Sequence, residues 1–277
     1  MAGEDEAAEE YDMGAVSKKP VWQRMLITCS GAVMNLALGI VIMFLVVVFS
    51  ANLGSTKIIS FVDDNAVSYK TGLMPGDEII KIAGSNVHIA NDLIYEIMRC
   101  ATEPISVTVI RGGAELTLSN VTFPTVTEQG MLFGSVDFYV YGVKKTPLTV
   151  LKHAYYQSVS SVKMIWQSVF DLITGKLGIQ HMSGPVGVTT AISEAVDEGG
   201  INVLYLCAIM SLNLGILNLL PFPALDGGRM VFHIIELIRR KPVRPEYEGY
   251  VHLAGIILLM LLMVAVTFQD ITKLFAK

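Results

Sequence analysis

The sequence predicts a polytopic α-helical membrane protein with three spans and an inserted α+β domain. Of its 277 residues, 52% are hydrophobic and only 16% are charged, whereas soluble domains carry roughly 25% charged residues. Crossing a hydrocarbon core requires about 20 apolar residues, and three stretches meet or approach that length: 25–49, 201–228 and 251–268. The polar block between the first and second spans is long enough to fold as a domain.

The distribution of lysine and arginine predicts the orientation of these spans. Lys18, Lys19 and Arg24 precede the first span, and five cations lie between the second and third: Arg229, Arg239, Arg240, Lys241 and Arg244. Because such residues are retained in the cytoplasm, we assign a polar cytoplasmic leader (1–24) and a basic cytoplasmic loop (229–250). The polar block is then extracytoplasmic. The net charge of −5 gives no indication of a nucleic-acid partner.

Residues 56–124 are predicted to form the inserted domain. "KIISFV" has the composition of a strand, "ANDLIYEIMRCA" has a helical apolar stripe, and "ISVTVIRGGAELTLSNVTF" alternates around a Gly-Gly turn. With the string G-L-x-x-G-D-x-I-x-x-I-x-G, this order resembles a circularly permuted bacterial PDZ domain. PDZ domains bind extended peptides along a sheet edge, so the resemblance implies peptide-binding positions at Gly72, Leu73, Gly76 and Asp77. A small α+β domain without a ligand is the alternative.

Two further segments precede the second span. Residues 146–178 have a broad apolar stripe that predicts an amphipathic helix. This helix lies either in the outer membrane interface or against the inserted domain, and the sequence favours neither position. Residues 183–200, which include "SGPVGV", are predicted to be a glycine-proline loop.

The second span ends in "NLLPFPALDGG", which places one carboxylate, Asp226, on a constrained turn. Asn218 is an amide in an apolar helix and needs a partner there. Pro221 and Pro223 prevent a regular helix, and Gly227 permits close backbone approach. A rigidly held carboxylate suits a metal ion, although a carboxylate that merely lies at the membrane interface is also consistent with these residues.

These residues also carry a family resemblance. "N-L-L-P-F-P-A-L-D-G" resembles the N-x-x-P-x-P-x-L-D-G motif of the site-2 protease family of intramembrane zinc metalloproteases. "SGPVGV" is similar to the loop that precedes this span in bacterial members, and "KKPVWQRMLITCSGAVMNLALG" resembles their second span, although Ser30-Gly31-Ala32 stands where Ala-Gly-Pro is usual. Together with one PDZ-like domain, the pattern resembles the proteases that regulate sigma factors in bacteria.

The resemblance implies a chemistry and a setting. Family members have four spans and hold zinc by two histidines of an H-E-x-x-H helix and by the aspartate of L-D-G, which makes Asp226 the third ligand. Asn218, Pro221, Pro223 and Gly227 would shape the active site. The implied substrates are single-span membrane proteins, such as anti-sigma factors or signal-peptide remnants. The implied location is the bilayer of the bacterial cytoplasmic membrane.

The sequence lacks the rest of that site. None of its five histidines is followed by glutamate or spaced i, i+4, and we expect each to be an ordinary surface or interfacial residue: His88, His153, His181, His233 and His252. No catalytic residue of the H-E-x-x-H type is therefore present. We interpret the chain as truncated at its N-terminus and inactive alone. The alternative is a non-catalytic PDZ-containing membrane adaptor; a transporter would need more spans with charges inside them.

Overall fold

The structure, a computed structural model, describes residues 19–100, 102–128, 131–175, 178, 182–241 and 243–275. The chain divides into two units, Ile40–Ile173 and the combination of Met1–Gly39 with Thr174–Lys277. Most of the predicted leader at 1–24 lies outside the described residues, as does His181.

The described helices and strands follow one another along the chain in this order: α1 (Val21–Phe49), β1 (Leu53–Phe61), α2 (Val67–Lys70), β2 (Glu78–Ile82), β3 (Ser85–Asn86), α3 (Ala90–Cys100), β4 (Ile105–Arg111), β5 (Ala114–Val121), β6 (Thr125–Glu128), β7 (Met131–Gly134), β8 (Phe138–Val143), α4 (Pro147–Ile173), α5 (Pro185–Glu198), α6 (Gly200–Leu219), α7 (Asp226–Arg239) and α8 (Pro245–Phe275).

Three helices in the described part of the chain are long and apolar enough to cross a membrane. They cover Val21–Phe49, Gly200–Leu219 and Glu246–Thr272, which confirms the prediction of a polytopic α-helical protein. The first span begins before predicted residue 25, and the third extends beyond both predicted ends, because polar residues continue these helices past their apolar cores.

The inserted domain is built on an antiparallel sheet of order β5-β4-β2-β1-β8, with β3 paired to β2. The predicted Gly-Gly hairpin is confirmed: Arg111 pairs with Ala114, and Gly112 and Gly113 both have positive φ, as a two-residue hairpin turn requires. The predicted boundary at residue 124 is wrong, because β8 completes the sheet by pairing with β1. The order of strands and helix agrees with the predicted domain; its assignment to the PDZ class stays a prediction.

Helix α4 packs against α3 through polar side chains. Four side-chain pairs, here called the polar seam, join the two helices: Ser160 with Asp92, Lys163 with Glu96 at 2.6 Å, Gln167 with Tyr95 at 2.8 Å, and Asp171 with Arg99 at 3.4 Å. Burial raises the pKa of Tyr95 to about 12. Of the two alternatives, packing against the inserted domain is therefore observed. The other face of α4 exposes large apolar side chains, including Leu148, Trp166 and Ile173.

Residues 183–200 are not the predicted loop, because Pro185–Glu198 form α5. Pro185 occupies the first turn of α5. The N–H groups of a first turn have no partner within the helix, so proline loses no hydrogen bond there. The buried carboxylate of Asp270 in α8 accepts hydrogen bonds from the N–H groups of Gly184 (2.8 Å) and Gly187 (2.9 Å). The glycines of "SGPVGV" thus allow α8 to approach this helix start closely.

The predicted span at 201–228 is also wrong as a continuous helix. Helix α6 ends at Leu219, and a separate helix, α7, begins at Asp226. Most of the predicted loop at 229–250 is consequently helical, and only residues 240–244 connect α7 to α8. The apolar residues of α7 recur at helical spacing, a pattern that the neighbouring arginines obscured.

Candidate functional site

The turn between α6 and α7 fixes the backbone before Asp226. Leu220 leaves the helix with an extended backbone (ψ 141°), and Pro221 and Pro223 lack the N–H groups that would continue it. Phe222 donates its N–H to the carbonyl of Leu220 at 2.7 Å. The turn therefore closes on itself within a few residues, and it delivers Asp226 to the first position of α7.

Helix α8 stabilises this turn from outside. Ala224 has φ +77°, a left-handed conformation that is unfavourable for a residue with a Cβ. Its N–H donates to Nδ1 of His252 at 3.1 Å. Nε of Arg229 also donates to Nε2 of the same ring at 3.3 Å. Because a neutral imidazole accepts at one nitrogen only, the ring accepts from Ala224 or from Arg229 according to its tautomer.

Glycines allow the elements around Asp226 to touch through their backbones. A Cβ on Gly227 would lie 2.1 Å from the carbonyl oxygen of Leu220, and one on Gly228 would lie 2.3 Å from that of Phe222. On α8, a Cβ at Gly255 would lie 2.5 Å from Pro223. Gly227 therefore permits a close backbone contact beside Asp226, and its role in shaping an active site stays a prediction.

Helix α7 runs antiparallel to α1 and carries Asp226 to the level of Gly31. Three contacts show the direction, because residue numbers rise along α1 as they fall along α7. Arg24 pairs with Glu236 at 2.6 Å, and Thr28 lies 3.4 Å from His233. Next, Gly31 faces Asp226, whose Oδ2 would lie 3.7 Å from a Cβ on Gly31. Seven residues separate Arg24 from Gly31, which corresponds to about 10 Å of helix. Asp226 thus lies well inside the candidate span formed by α1.

Close packing joins α6 to α1. A Cβ on Gly215 would lie 2.8 Å from Leu36, and one on Gly39 would lie 2.7 Å from Leu212. Ser211 donates its hydroxyl to the carbonyl of Asn35 at 2.8 Å. Small and polar residues at a helix contact are typical of membrane helices. Asn218 lies near the end of α6 and is partly buried; its role in shaping the site stays a prediction.

Zinc is the ion that the resemblance implies, and the described residues do not form a site for it by themselves. Zinc sites take three or four protein ligands, and the described part of the chain contains no group of three His, Cys, Asp or Glu residues that could hold a metal. Asp226 offers one carboxylate. His252 uses Nδ1 to bond the turn, and His233 lies two helical turns from Asp226 along α7.

The predicted peptide-binding residues of the inserted domain form a second buried arrangement. Leu73 and Asp77 are fully buried, and Arg111 donates two hydrogen bonds, of 2.7 and 2.8 Å, to the Asp77 carboxylate. These bonds raise the pKa of Arg111. Gly72 and Gly76 adopt positive φ in the same turn. The motif therefore stabilises the turn through buried side chains, and peptide binding by this domain stays a prediction.

Sequence reasoning missed three residues that organise these sites. His252, Arg111 and Asp270 each bond to residues at least 28 positions away in the chain. No local spacing connects them to their partners. The one available signal was chemical: a histidine and an aspartate in or beside an apolar span require polar partners.

Comparison with known proteins gives a consistent family. A family model described as Peptidase family M50 matches residues 1–262. Regulator of sigma-W protease RasP of Bacillus subtilis is 33% identical over 257 residues, which are 93% of this chain and 61% of that protein. Zinc metalloprotease RasP of Bacillus licheniformis is 33% identical over 261 residues with the same coverage. A Clostridium perfringens relative is 32% identical over 272 residues, 98% of this chain and 79% of that protein.

The chain thus spans about three fifths of the length of the two Bacillus relatives. The family match extends from the first span into the third and includes the turn that holds Asp226. This agrees with the resemblance of the L-D-G motif to the site-2 proteases. The chain belongs to peptidase family M50.

Proposed function

We propose that this chain carries the aspartate part of a zinc-dependent intramembrane endopeptidase of the site-2 type. The observation that supports the proposal is the placement of Asp226. Its carboxylate lies at the start of α7, after a turn held by Pro221, Pro223 and His252, at the level of Gly31, about 15 Å along the helix from the start of α1. A surface carboxylate needs no such support, whereas a ligand that must meet other ligands at fixed distances does.

The remaining part of the site would come from outside these 277 residues. The sequence contains no H-E-x-x-H, and the described residues contain no group of three His, Cys, Asp or Glu side chains that could hold a metal ion. We therefore propose that a separate segment supplies two histidines and the glutamate general base beside Asp226. In the complete protein, zinc would supply the activation of water that peptide hydrolysis requires.

The substrates we propose are transmembrane segments of single-span proteins, such as anti-sigma factors or signal-peptide remnants. A relative is named as a regulator of sigma-W, which supports the first class. An intact helix has its backbone hydrogen-bonded, so a substrate must unwind before cleavage, and the Pro221–Pro223 segment would face the unwound strand. The inserted domain would act outside the bacterial cytoplasmic membrane as a filter or sensor of substrate size.

Mass spectrometry of the native protein's N-terminus, in its own membrane, tests the proposal. We expect a peptide that extends upstream of Met1 and contains H-E-x-x-H. A true start at Met1 would contradict this expectation and leave Asp226 without histidine partners in the same chain.

An activity assay tests the same proposal separately. The 277-residue protein alone is expected to leave a reconstituted single-span substrate uncleaved. When the native protein cleaves that substrate, Asp226→Asn is expected to lower the rate by at least about 100-fold, because it removes a charged ligand. Zinc-dependent cleavage by residues 1–277 alone would overturn the division of the site that we propose.

The second candidate is a non-catalytic adaptor that binds peptides or a full-length protease through the inserted domain. It is favoured by the lack, among the described residues, of any group of three side chains that could hold a metal ion. A native start at Met1, together with binding of peptides to the inserted domain, would place this candidate first.

A further inference from the structure

The end of α7 carries four exposed cations, here called the basic cluster: Arg239, Arg240, Lys241 and Arg244. In the part of the chain that the structure describes, none of the four forms an ion pair. Arg24 nearby differs, because it bonds Glu236. Residues 239–244 thus contain four positive charges, and with the carboxylates of Glu246 and Glu248 in the next turn the segment keeps a net charge of +2 (four minus two), which favours an anion.

Exposed apolar side chains lie next to the basic cluster. Ile234, Leu237 and Ile238 are 41%, 56% and 76% exposed, although the opposite face of α7 packs on α1. A helix that presents large apolar side chains beside cations has the surface of an interfacial membrane helix. A purely aqueous loop would gain nothing from these apolar residues.

The pairing with α1 gives the level of the cluster along the membrane normal. Glu236 lies beside Arg24, three residues after α1 begins. Because the helices are antiparallel, Arg239 and the residues after it lie about one turn further out, level with the first residue of α1. Trp22, which is 58% exposed, lies at that level, as is typical of side chains in the interface between hydrocarbon and water.

We propose that the basic cluster, with Leu237 and Ile238, binds anionic phospholipids. The cations would bind the phosphate groups, and the two apolar side chains would contact the acyl chains just below them. This inference is independent of zinc and of proteolysis. Each basic residue near an anionic surface strengthens association by about fivefold, so the cluster would concentrate anionic lipid at this end of α7.

A local tryptophan reports the lipid beside the cluster. Ile238→Trp is introduced into the 277-residue protein after Trp22→Phe and Trp166→Phe remove the native tryptophans. The protein is placed in bilayers of phosphatidylglycerol and phosphatidylcholine in which one lipid at a time is brominated. We expect brominated phosphatidylglycerol to quench the fluorescence several-fold more than its mole fraction predicts.

Two variants with equal loss of charge distinguish site binding from a general effect of charge. Arg239→Gln, Lys241→Gln and Arg244→Gln together are expected to remove this several-fold preference and return quenching to the level that mole fraction predicts, as is 0.5 M salt. Lys57→Gln, Lys70→Gln and Lys144→Gln, exposed in the inserted domain, are expected to leave it unchanged. Quenching that follows mole fraction alone, or that survives the first triple variant, overturns the proposal. The proposal is also overturned if no brominated lipid quenches the tryptophan fluorescence while a soluble polyanion shifts its emission.

Discussion

Asp226 depends on residues that lie far from its own motif. The turn before it includes a non-glycine residue with positive φ, Ala224, and among the described residues α8 supplies the acceptor for that residue's N–H. Loss of this hydrogen bond would leave a strained residue free to relax to negative φ and would turn the carboxylate away from Gly31. The L-D-G sequence therefore does not fix the position of Asp226 by itself.

Substitutions at His252 test this dependence. His252→Asn keeps an acceptor near the position of Nδ1 and is expected to preserve the slow hydrogen exchange of the Ala224 amide. His252→Gln moves the acceptor and His252→Ala removes it, so both are expected to accelerate exchange about fivefold to tenfold. Ala224→Gly should restore the turn in the His252→Ala protein, because glycine adopts positive φ without strain. NMR on protein labelled with ¹⁵N-alanine, or with ¹⁵N-glycine for the Ala224→Gly protein, measures the exchange at residue 224; equal rates in the three His252 variants would exclude a role for His252.

Three glycines near Asp226 differ in what an added methyl group would meet. Gly227→Ala and Gly228→Ala would place a Cβ within 2.3 Å of backbone oxygens, which cannot move without breaking the turn. Each is expected to destabilise the protein by at least about 3 kcal/mol. Gly31→Ala is the matched control, since its Cβ would make an ordinary 3.7 Å contact with Asp226. Thermal unfolding in detergent compares them; an equal loss for all three would contradict the close approach at α7.

At the scale of elements, the polar seam decides how α4 is held. Glu96 is 2% exposed, and its cation comes from Lys163 on α4. Asp92 is also buried and accepts from Ser160. Buried carboxylates without partners are strongly unfavourable, so the two helices cannot separate without hydrating these groups together.

The seam gives a prediction for paired variants. Solvent already screens part of the native ion pair, because Lys163 is partly exposed. Lys163→Met is therefore expected to weaken the docking of α4 by about 1–3 kcal/mol, because it leaves the buried Glu96 without its cation. Adding Glu96→Gln should restore most of the loss. Lys152→Met, on the exposed part of the same helix, should have little effect. Hydrogen exchange across residues 147–173 measures docking, and an unchanged exchange pattern in Lys163→Met would rule out this role for the ion pair.

At the scale of the whole molecule, three spans place the two connecting regions on opposite sides of the membrane. We expect alkaline phosphatase fused after Lys144 to be active, since the inserted domain is predicted to be extracytoplasmic, and the same enzyme fused after Lys241 to be inactive. The physical reason is the retention of the cations around residues 239–244. The reverse pattern would invert the predicted orientation of all three spans.

How much of this molecule follows from its sequence depends on whether the relevant physics is local. Hydrophobic length located the spans, and alternation around Gly112 and Gly113 predicted the hairpin, because both signals lie within single elements. Sequence analysis missed three helix ends: the end of α6 at Leu219, the start of α7 at Asp226 and the start of α5 at Pro185. Apolar composition indicates which residues can lie in lipid, but it does not indicate where a helix begins or ends. The partnership of His252 with Ala224 requires α8 to lie beside the turn, and no spacing in the sequence encodes that.

Lys145 gives the inserted domain a mechanical character that a flexible linker would lack. Lys145 lies just before α4 begins. Its ammonium group donates to the carbonyls of Val48 and Ser50 at the end of α1. Further along the chain, the polar seam joins α4 to α3. These contacts join the end of the inserted domain to the end of α1 within one unit of the chain. A pull on the domain would therefore be transmitted to the end of α1 through these bonds as well as through the connecting backbone.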